Sequence, residues 1–350
     1  MRKKFMALIL TAVLGAAMFA GCGNSSQNEA SESVGNSASV LQSSGIEDTD
    51  SRTNINIAVL KGPTGIGAAR LIDENINNES KNKYNFDIAA SPDEITGKLI
   101  SGDIDIAAIP TNLASVVYNK TKGEIQVAAV NTLGVLYLLE DGTQNIKSVS
   151  DLEGKTIALS GQGSVPEYAL EYILNAYGVK ANLEFMSEHA EVAQALASGS
   201  VSLAVLPEPQ VTAVEMKNSK IVTAIDLNKE WVNACKKNGI EDSRLAMGCI
   251  VARKDFINNN KKAFEDFLAE YENSIDYTEN ASNVAKLVEK YQIMASAAAA
   301  EKAIPNCNIV YFDGKDMKAM LTNFYKILYD ANPASVGGKV PSDDFYYIAE

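Results

Sequence analysis

Leu99-Ile100-Ser101-Gly102-Asp103-Ile104-Asp105-Ile106-Ala107-Ala108-Ile109-Pro110 recurs 97 positions later as Leu196-Ala197-Ser198-Gly199-Ser200-Val201-Ser202-Leu203-Ala204-Val205-Leu206-Pro207. Each copy reads as a helix end, a Ser-Gly stop, a buried strand and a proline where that strand meets the next helix. A chain that repeats this unit holds two similar α/β halves. The crevice between such halves is a ready place for a ligand, which favours binding over catalysis.

Outward from the first copy, 55–60 is a buried-strand pattern, 61–65 a turn and 65–77 a helix. A strand follows near 84–89, and Ser91 and Glu94 stand at capping-box spacing before a helix whose apolar face is Ile95, Leu99 and Ile100. After Pro110 a helix runs to about 120, and 125–130 and 133–139 are further strands. Asp141-Gly142 breaks the pattern, which then restarts. Strands at 156–159, 181–185, 203–206 and 221–225 alternate with helices at 165–176, 191–198, 207–217 and 227–237. Such alternation with short turns indicates α/β units with mostly parallel sheets. The apolar run 246–252 reads as a strand returning to the first half. Everything after Lys254 reads helical, with core stripes at Phe264, Phe267, Leu268, Tyr271 and Ile275 and at Met317, Met320, Leu321, Phe324 and Leu328.

Composition narrows the class. The 350 residues are 46% hydrophobic and 21% charged, which suits a soluble globular chain with one large core or two moderate ones. A net charge of −13 lacks the basic footprint of a nucleic-acid partner. The N-terminus reads as an address. Arg2-Lys3-Lys4 precede an apolar stretch, 5–20, that is short for a membrane span, and it ends at Phe19-Ala20-Gly21-Cys22. That ending resembles the lipobox of bacterial lipoproteins, which implies a signal peptide at 1–21 and lipidation at Cys22. Residues 22–52, rich in Ser, Asn, Glu and Gly, read as a disordered tether. Cys235, Cys249 and Cys307 remain, an odd number with no CxxC spacing, and His189 is the single histidine, so no metal site is expected.

Four turns join a strand's C-terminal end directly to a helix start: Gly62-Pro63-Thr64-Gly65, Pro110-Thr111-Asn112, Gly161-Gln162-Gly163-Ser164 and Pro207-Glu208-Pro209. Ligands of open α/β sheets bind outside the carboxyl ends of the strands. Helix starts offer free N–H donors and partial positive charge, which suit an anion. The candidate ligand residues are therefore Gly62, Pro63, Thr64, Gly65, Thr111, Asn112, Gly161, Gly163, Ser164, Tyr168 and Glu208. The same residue types also serve as plain helix caps. Glu208 and Glu167 either stabilise a helix start or receive a ligand amine or ring nitrogen, and Tyr168, Tyr137 and Trp231 are candidates for an aromatic wall. Enzyme motifs are missing: 62–67 lacks the Lys-Ser/Thr of a P-loop and the third glycine of a dinucleotide fingerprint, and 161–164 is no nucleophile elbow. No catalytic residue and no cofactor is assigned.

The lipobox, the tether, Lys61-Gly62-Pro63-Thr64-Gly65, the segment ending in Pro110-Thr111-Asn112, Asp151-Leu152-Glu153-Gly154-Lys155-Thr156-Ile157-Ala158 followed by 161–164, and Leu206-Pro207-Glu208-Pro209 together resemble ABC-transporter substrate-binding lipoproteins of the nitrate/sulfonate/taurine and thiamine-precursor type. The resemblance covers roughly 53–350. It implies a type II periplasmic-binding-protein fold, with 53–140 plus 247–350 as lobe 1, 145–245 as lobe 2 and two hinge crossings. It further implies an extracytoplasmic, lipid-anchored monomer that clamps a small anion and serves an ABC permease with its ATPase. The alternatives left open are an enzyme on the same scaffold, a sensor or adhesin, and an importer receptor for a thiamine-related pyrimidine. The pyrimidine synthases of this fold carry a Cys-rich motif that this chain lacks.

Overall fold

A computed structural model describes residues 51–349; the expected signal peptide, the expected lipidation site Cys22 and most of the expected tether lie outside the described residues. The chain opens with β1 (Asn54–Leu60), α1 (Pro63–Ile66), α2 (Ala69–Ile76), β2 (Lys83–Ala89), α3 (Pro92–Ser101), β3 (Ile106–Pro110), α4 (Thr111–Lys120) and β4 (Ile125–Leu133). The middle holds β5 (Leu136–Glu140), β6 (Thr156–Ser160), α5 (Val165–Tyr177), β7 (Asn182–Met186), α6 (His189–Ser198), β8 (Leu203–Pro207), α7 (Gln210–Lys217), β9 (Val222–Asp226) and α8 (Leu227–Lys237). Then come β10 (Ala246–Arg253), α9 (Lys254–Asn259), α10 (Lys261–Asp276), α11 (Ala281–Lys290), α12 (Ala297–Ala303), β11 (Ile309–Asp313) and α13 (Gly314–Ala331).

The repeated stretch builds equivalent parts. Gly102 ends α3 with φ 89° and Gly199 ends α6 with φ 74°, the left-handed conformation that glycine takes at no steric cost. The strands that follow, β3 and β8, both run through the middle of a sheet. One sheet has the order β11-β4-β10-β3-β1-β2, the other β7-β6-β8-β5-β9. In each, the repeat strand pairs in parallel on one side and antiparallel on the other. The antiparallel partner comes from across the molecule: β5 enters the second sheet directly after β4 of the first, and β10 enters the first sheet after α8 of the second.

Several expectations change here. The sheets are mixed rather than mostly parallel, because a buried apolar run reads the same in either direction. The first crossing falls at Gly134-Val135, since β5 pairs with β8 and β9, so the boundary expected at 140 lies a strand too late. The helical reading after Lys254 also misses β11, a short edge strand that pairs antiparallel with β4. The expected 65–77 helix is split into α1 and α2, and Ile100 is exposed while Ile95 and Leu99 are buried. The Ser91 hydroxyl meets the Glu94 carboxylate at 3.4 Å without capping the backbone.

The core stripes of α10 and α13 are buried as their spacing requires. One hydrophobic cluster is continuous between the two sheets and takes in α4, α5, α8 and α13. Trp231 of α8 joins them: its ring lies 4.9 Å from Tyr172 of α5 and 5.9 Å from Phe324 of α13. It is fully buried, so it belongs to the core and not to an aromatic wall. Cys235, Cys249 and Cys307 are all free thiols inside the fold.

Gly65 shows how tightly the first turn is packed. A Cβ there would stand 2.0 Å from the carbonyl oxygen of Leu60, whereas a Cβ on Gly163 would meet open space. Replacement of Gly65 by alanine must therefore move β1 or α1. We expect Gly65→Ala to destabilise the protein by about 3 kcal/mol or more in chemical denaturation, as overpacking does. Gly163→Ala, which only strains a φ of 74°, should cost about 1 kcal/mol. Equal losses at the two sites would contradict the packing described.

Candidate functional site

A cavity of about 560 Å³ lies between the two sheets. From the first sheet and its helices it takes Lys61, Gly62, Pro63 and Thr64 after β1, Pro110 at the end of β3, Thr132 near the end of β4, and Met247 on β10. Ile293, Met294, Ala295, Ser296 and Ala299, leading into α12, add an apolar side. From the second sheet come His189, Pro207, Glu208, Pro209, Gln210 and Ala213. The cavity thus sits at the carboxyl ends of β1, β3 and β8, where open α/β sheets place their ligands.

The first, second and fourth of the sequence-predicted corners meet here, and the third, 161–164, does not. Gly62, Pro63 and Thr64 line the cavity, but Gly65 is buried against Leu60 and Ile293. Pro110 lines it, while Thr111 is fully buried behind the wall, its carbonyl accepting from the Tyr325 hydroxyl at 2.8 Å, and Asn112 stands away from the cavity. Gly161, Gly163 and Ser164 lie outside the cavity wall. Their turn satisfies itself: the Ser164 hydroxyl donates to the Gly161 carbonyl at 2.5 Å, and the Gly163 N–H donates to the Glu167 carboxylate. Tyr168 is buried and its hydroxyl accepts from Asn332 at 2.8 Å, a contact between the two halves. Tyr137 likewise donates its hydroxyl to the Asn306 carbonyl at 2.8 Å. Neither tyrosine lines the cavity, so the aromatic wall is not formed.

The corners are held by buried polar contacts. Asn131, 1% exposed, donates to the Thr64 carbonyl at 3.1 Å and to the Tyr271 hydroxyl at 2.8 Å, which fixes the first turn against β4. Thr132 donates to the Asn131 side-chain oxygen at 3.1 Å. The Gly62 N–H donates to the Ile293 carbonyl at 3.0 Å and so ties the first corner to the segment before α12. The Glu208 N–H donates to the Val135 carbonyl at 2.9 Å, which pins the fourth corner directly to the crossing.

Lys61, His189 and Glu208 are the ionisable groups of the wall. Glu208 is 1% exposed. Its carboxylate accepts from the Thr212 N–H at 3.1 Å, the Thr212 hydroxyl at 2.9 Å and the Asn306 amide at 3.4 Å. Burial pushes its proton affinity above the usual carboxylate range, although these hydrogen bonds oppose the shift. Burial acts the other way on His189 and lowers its proton affinity. The rest of the wall is mainly apolar, with helix starts at α4, α6 and α7 adding partial positive charge.

Sequence reasoning missed Lys61, Thr132, Val135, His189, Met247, Gln210, Ala213 and the 293–299 segment as wall residues. Lys61 and Gln210 adjoin turns it did single out. The 293–299 segment carries no local signal, because only the tertiary fold brings it over the first corner. Among the described residues, no group of three or more His, Cys, Asp or Glu converges as a metal site would require.

Residues 125–283 match the family model described as NMT1/THI5 like. No curated protein matches the chain in sequence. Among solved structures, the fold is similar to an ABC transporter protein from Parabacteroides distasonis, with 24% identity, a TM-score of 0.70, and coverage of 85% of this chain and 99% of that one. It is similar to the periplasmic aliphatic sulphonate-binding protein SsuA of Escherichia coli, at 15% identity, a TM-score of 0.66, and 82% and 96% coverage. The alkanesulfonate-binding protein SsuA from Xanthomonas axonopodis pv. citri bound to MOPS is similar too, at 12% identity, a TM-score of 0.56, and 82% and 95% coverage. The chain therefore has the fold of the ABC-transporter substrate-binding proteins, with an NMT1/THI5-like segment that runs from the start of β4 into α11.

Proposed function

We propose that this protein is the extracytoplasmic solute-binding component of an ABC importer, holding a small organic anion between two lobes. The observation that carries the reading is the cavity walled by both sheets at their strand ends. A ligand there touches both lobes only when they are together, so its differential affinity favours the closed arrangement. The lobes follow the sheets, with crossings at 134–135 and 238–245. Lipidation at Cys22 and the tether would keep the protein near its permease and the ATPase that drives it. The protein acts as a monomer and as a binder, not an enzyme.

The size of the cavity falls in the range that encloses organic ligands and is generous for nitrate. Helix starts and Lys61 favour a sulfonate or carboxylate group, and the apolar wall favours a carbon body. Glu208 supports a second reading. A buried carboxylate in the wall repels an anion and receives an amine or ring N–H, so a thiamine-related pyrimidine, or a sulfonate that also carries an amine, satisfies it.

A thermal-shift screen of the full chain against MOPS, taurine, carboxylates, nitrate and thiamine-related pyrimidines tests the function. A ligand at a hundredfold excess over its Kd stabilises by about 2.7 kcal/mol, which raises the melting temperature by a few degrees. Ala213→Trp on α7 and Ala299→Trp on α12 each place an indole in the cavity and should abolish that rise while the unliganded protein still melts cooperatively. Ligand stabilisation unchanged in both variants would remove the cavity from the reading.

Glu208 gives a pH signature. Its carboxyl binds a proton more tightly in the folded than in the unfolded chain. Its contribution to stability is therefore complete below the ordinary carboxylate range and is lost as pH rises through the raised value. Glu208→Gln mimics the protonated form. The stability difference between variant and parent should move in the variant's favour from about pH 4 to about pH 7 in denaturant titrations. A difference independent of pH would show that burial does not shift this group.

A further inference from the structure

His189 is the only histidine of the chain, the first residue of α6 and part of the cavity wall. Behind it, at the end of β6, stands Ser160, 3% exposed, whose hydroxyl is hydrogen bonded to His189 Nδ1. Among the described residues, this is the one hydrogen bond that either side chain makes. The direction of that bond follows from what each group can satisfy. If Nδ1 carried the hydrogen, the Ser160 hydroxyl proton would be buried with no acceptor, at a cost of about 1–3 kcal/mol. If the hydroxyl donates to Nδ1, both groups are satisfied and the ring proton resides on Nε2. Burial lowers the proton affinity of the ring, against the neighbouring Glu188 carboxylate, which raises it. The ring's free polar atom is then Nε2, in a side chain that lines the cavity.

We infer that His189 is a ligand-recognition residue, set by Ser160 in the Nε2–H tautomer so that it donates a hydrogen bond to an acceptor atom of the bound ligand. The inference rests on the proposed function in one respect, that the cavity is where ligand binds. Within that cavity it completes a pair of opposite kinds: Glu208 accepts and His189 donates without charge. A neutral donor tolerates a carboxylate, a sulfonate oxygen or a ring nitrogen, and it rejects a ligand that offers only N–H at that place.

A single histidine makes the test direct. In the uniformly ¹⁵N-labelled full chain, a long-range ¹H–¹⁵N spectrum shows one imidazole. The expected pattern at neutral pH is the Nε2–H tautomer, and Ser160→Ala should convert it to a mixture. Added MOPS should move the Nε2 resonance. His189→Ala should weaken MOPS binding about three- to tenfold, and His189→Gln, which keeps an N–H near the same place, should restore most of the loss. An Nδ1–H or protonated ring in the parent protein overturns the inference. A ring resonance unmoved while MOPS raises the melting temperature also overturns it and leaves the proposed function standing. Failure of MOPS and of every other compound in the screen to move either the ring or the melting temperature counts against both.

Discussion

Each sheet in this protein is completed by a strand that the other half supplies. β10 lies between β3 and β4, and β5 lies between β8 and β9, both antiparallel to their neighbours. These are interior positions, so neither half can satisfy its backbone hydrogen bonds without the chain crossing over. The two crossings are thereby held together, and β3 and β8 are fixed with their C-terminal ends toward the same space. The repeated Ser-Gly-strand-Pro stretch supplies both of those strands. The cavity is the consequence of that exchange rather than a separate device.

The same constraint explains the positions of the wall residues. Glu208 follows β8 and bonds the carbonyl of Val135 in the first crossing, so a carboxylate stands where the halves meet. The 304–308 stretch from the first half closes around it. Asn306 accepts from Tyr137 and donates to Glu208, and Asn308 donates to the Gly134 carbonyl at 2.5 Å while its own carbonyl receives the Leu133 N–H at 3.0 Å. Motion of one half against the other must be absorbed beside these contacts. A ligand touching Thr132 or Met247 on one side and Glu208 or His189 on the other would report that motion, because these side chains belong to different sheets. An apolar wall with few polar groups gives such a ligand orientation as well as burial.

Much of this architecture was legible in the residues. Hydrophobic runs located ten of the eleven strands, and the span 227–237 coincides with α8, whose Asp226 cap accepts from Asn228 and Lys229. β11 was hidden because its residues are only partly buried or exposed and sit among helical stripes. Strand direction was hidden for a general reason: burial on both faces leaves no trace of which neighbour a strand chooses. The site was legible in part. Corners one, two and four were found because a strand end followed by a helix start is a local pattern. The turn at 161–164 has that same pattern, yet β6 lies one strand farther from the crossing than β8, and depth within a sheet is not written locally. Thr111 was a reasonable donor by type and is sealed behind the wall by the packing of α13. His189 and the 293–299 segment could be recognised only once distant parts of the chain were brought together.

The most direct test is a crystal structure of the full chain with whichever compound raises its melting temperature most. That compound should lie between the two sheets, in contact with Thr132 or Met247 on one side and with Glu208 and His189 on the other. A compound bound to one sheet alone, or seated at the 161–164 turn away from this cavity, would contradict this placement.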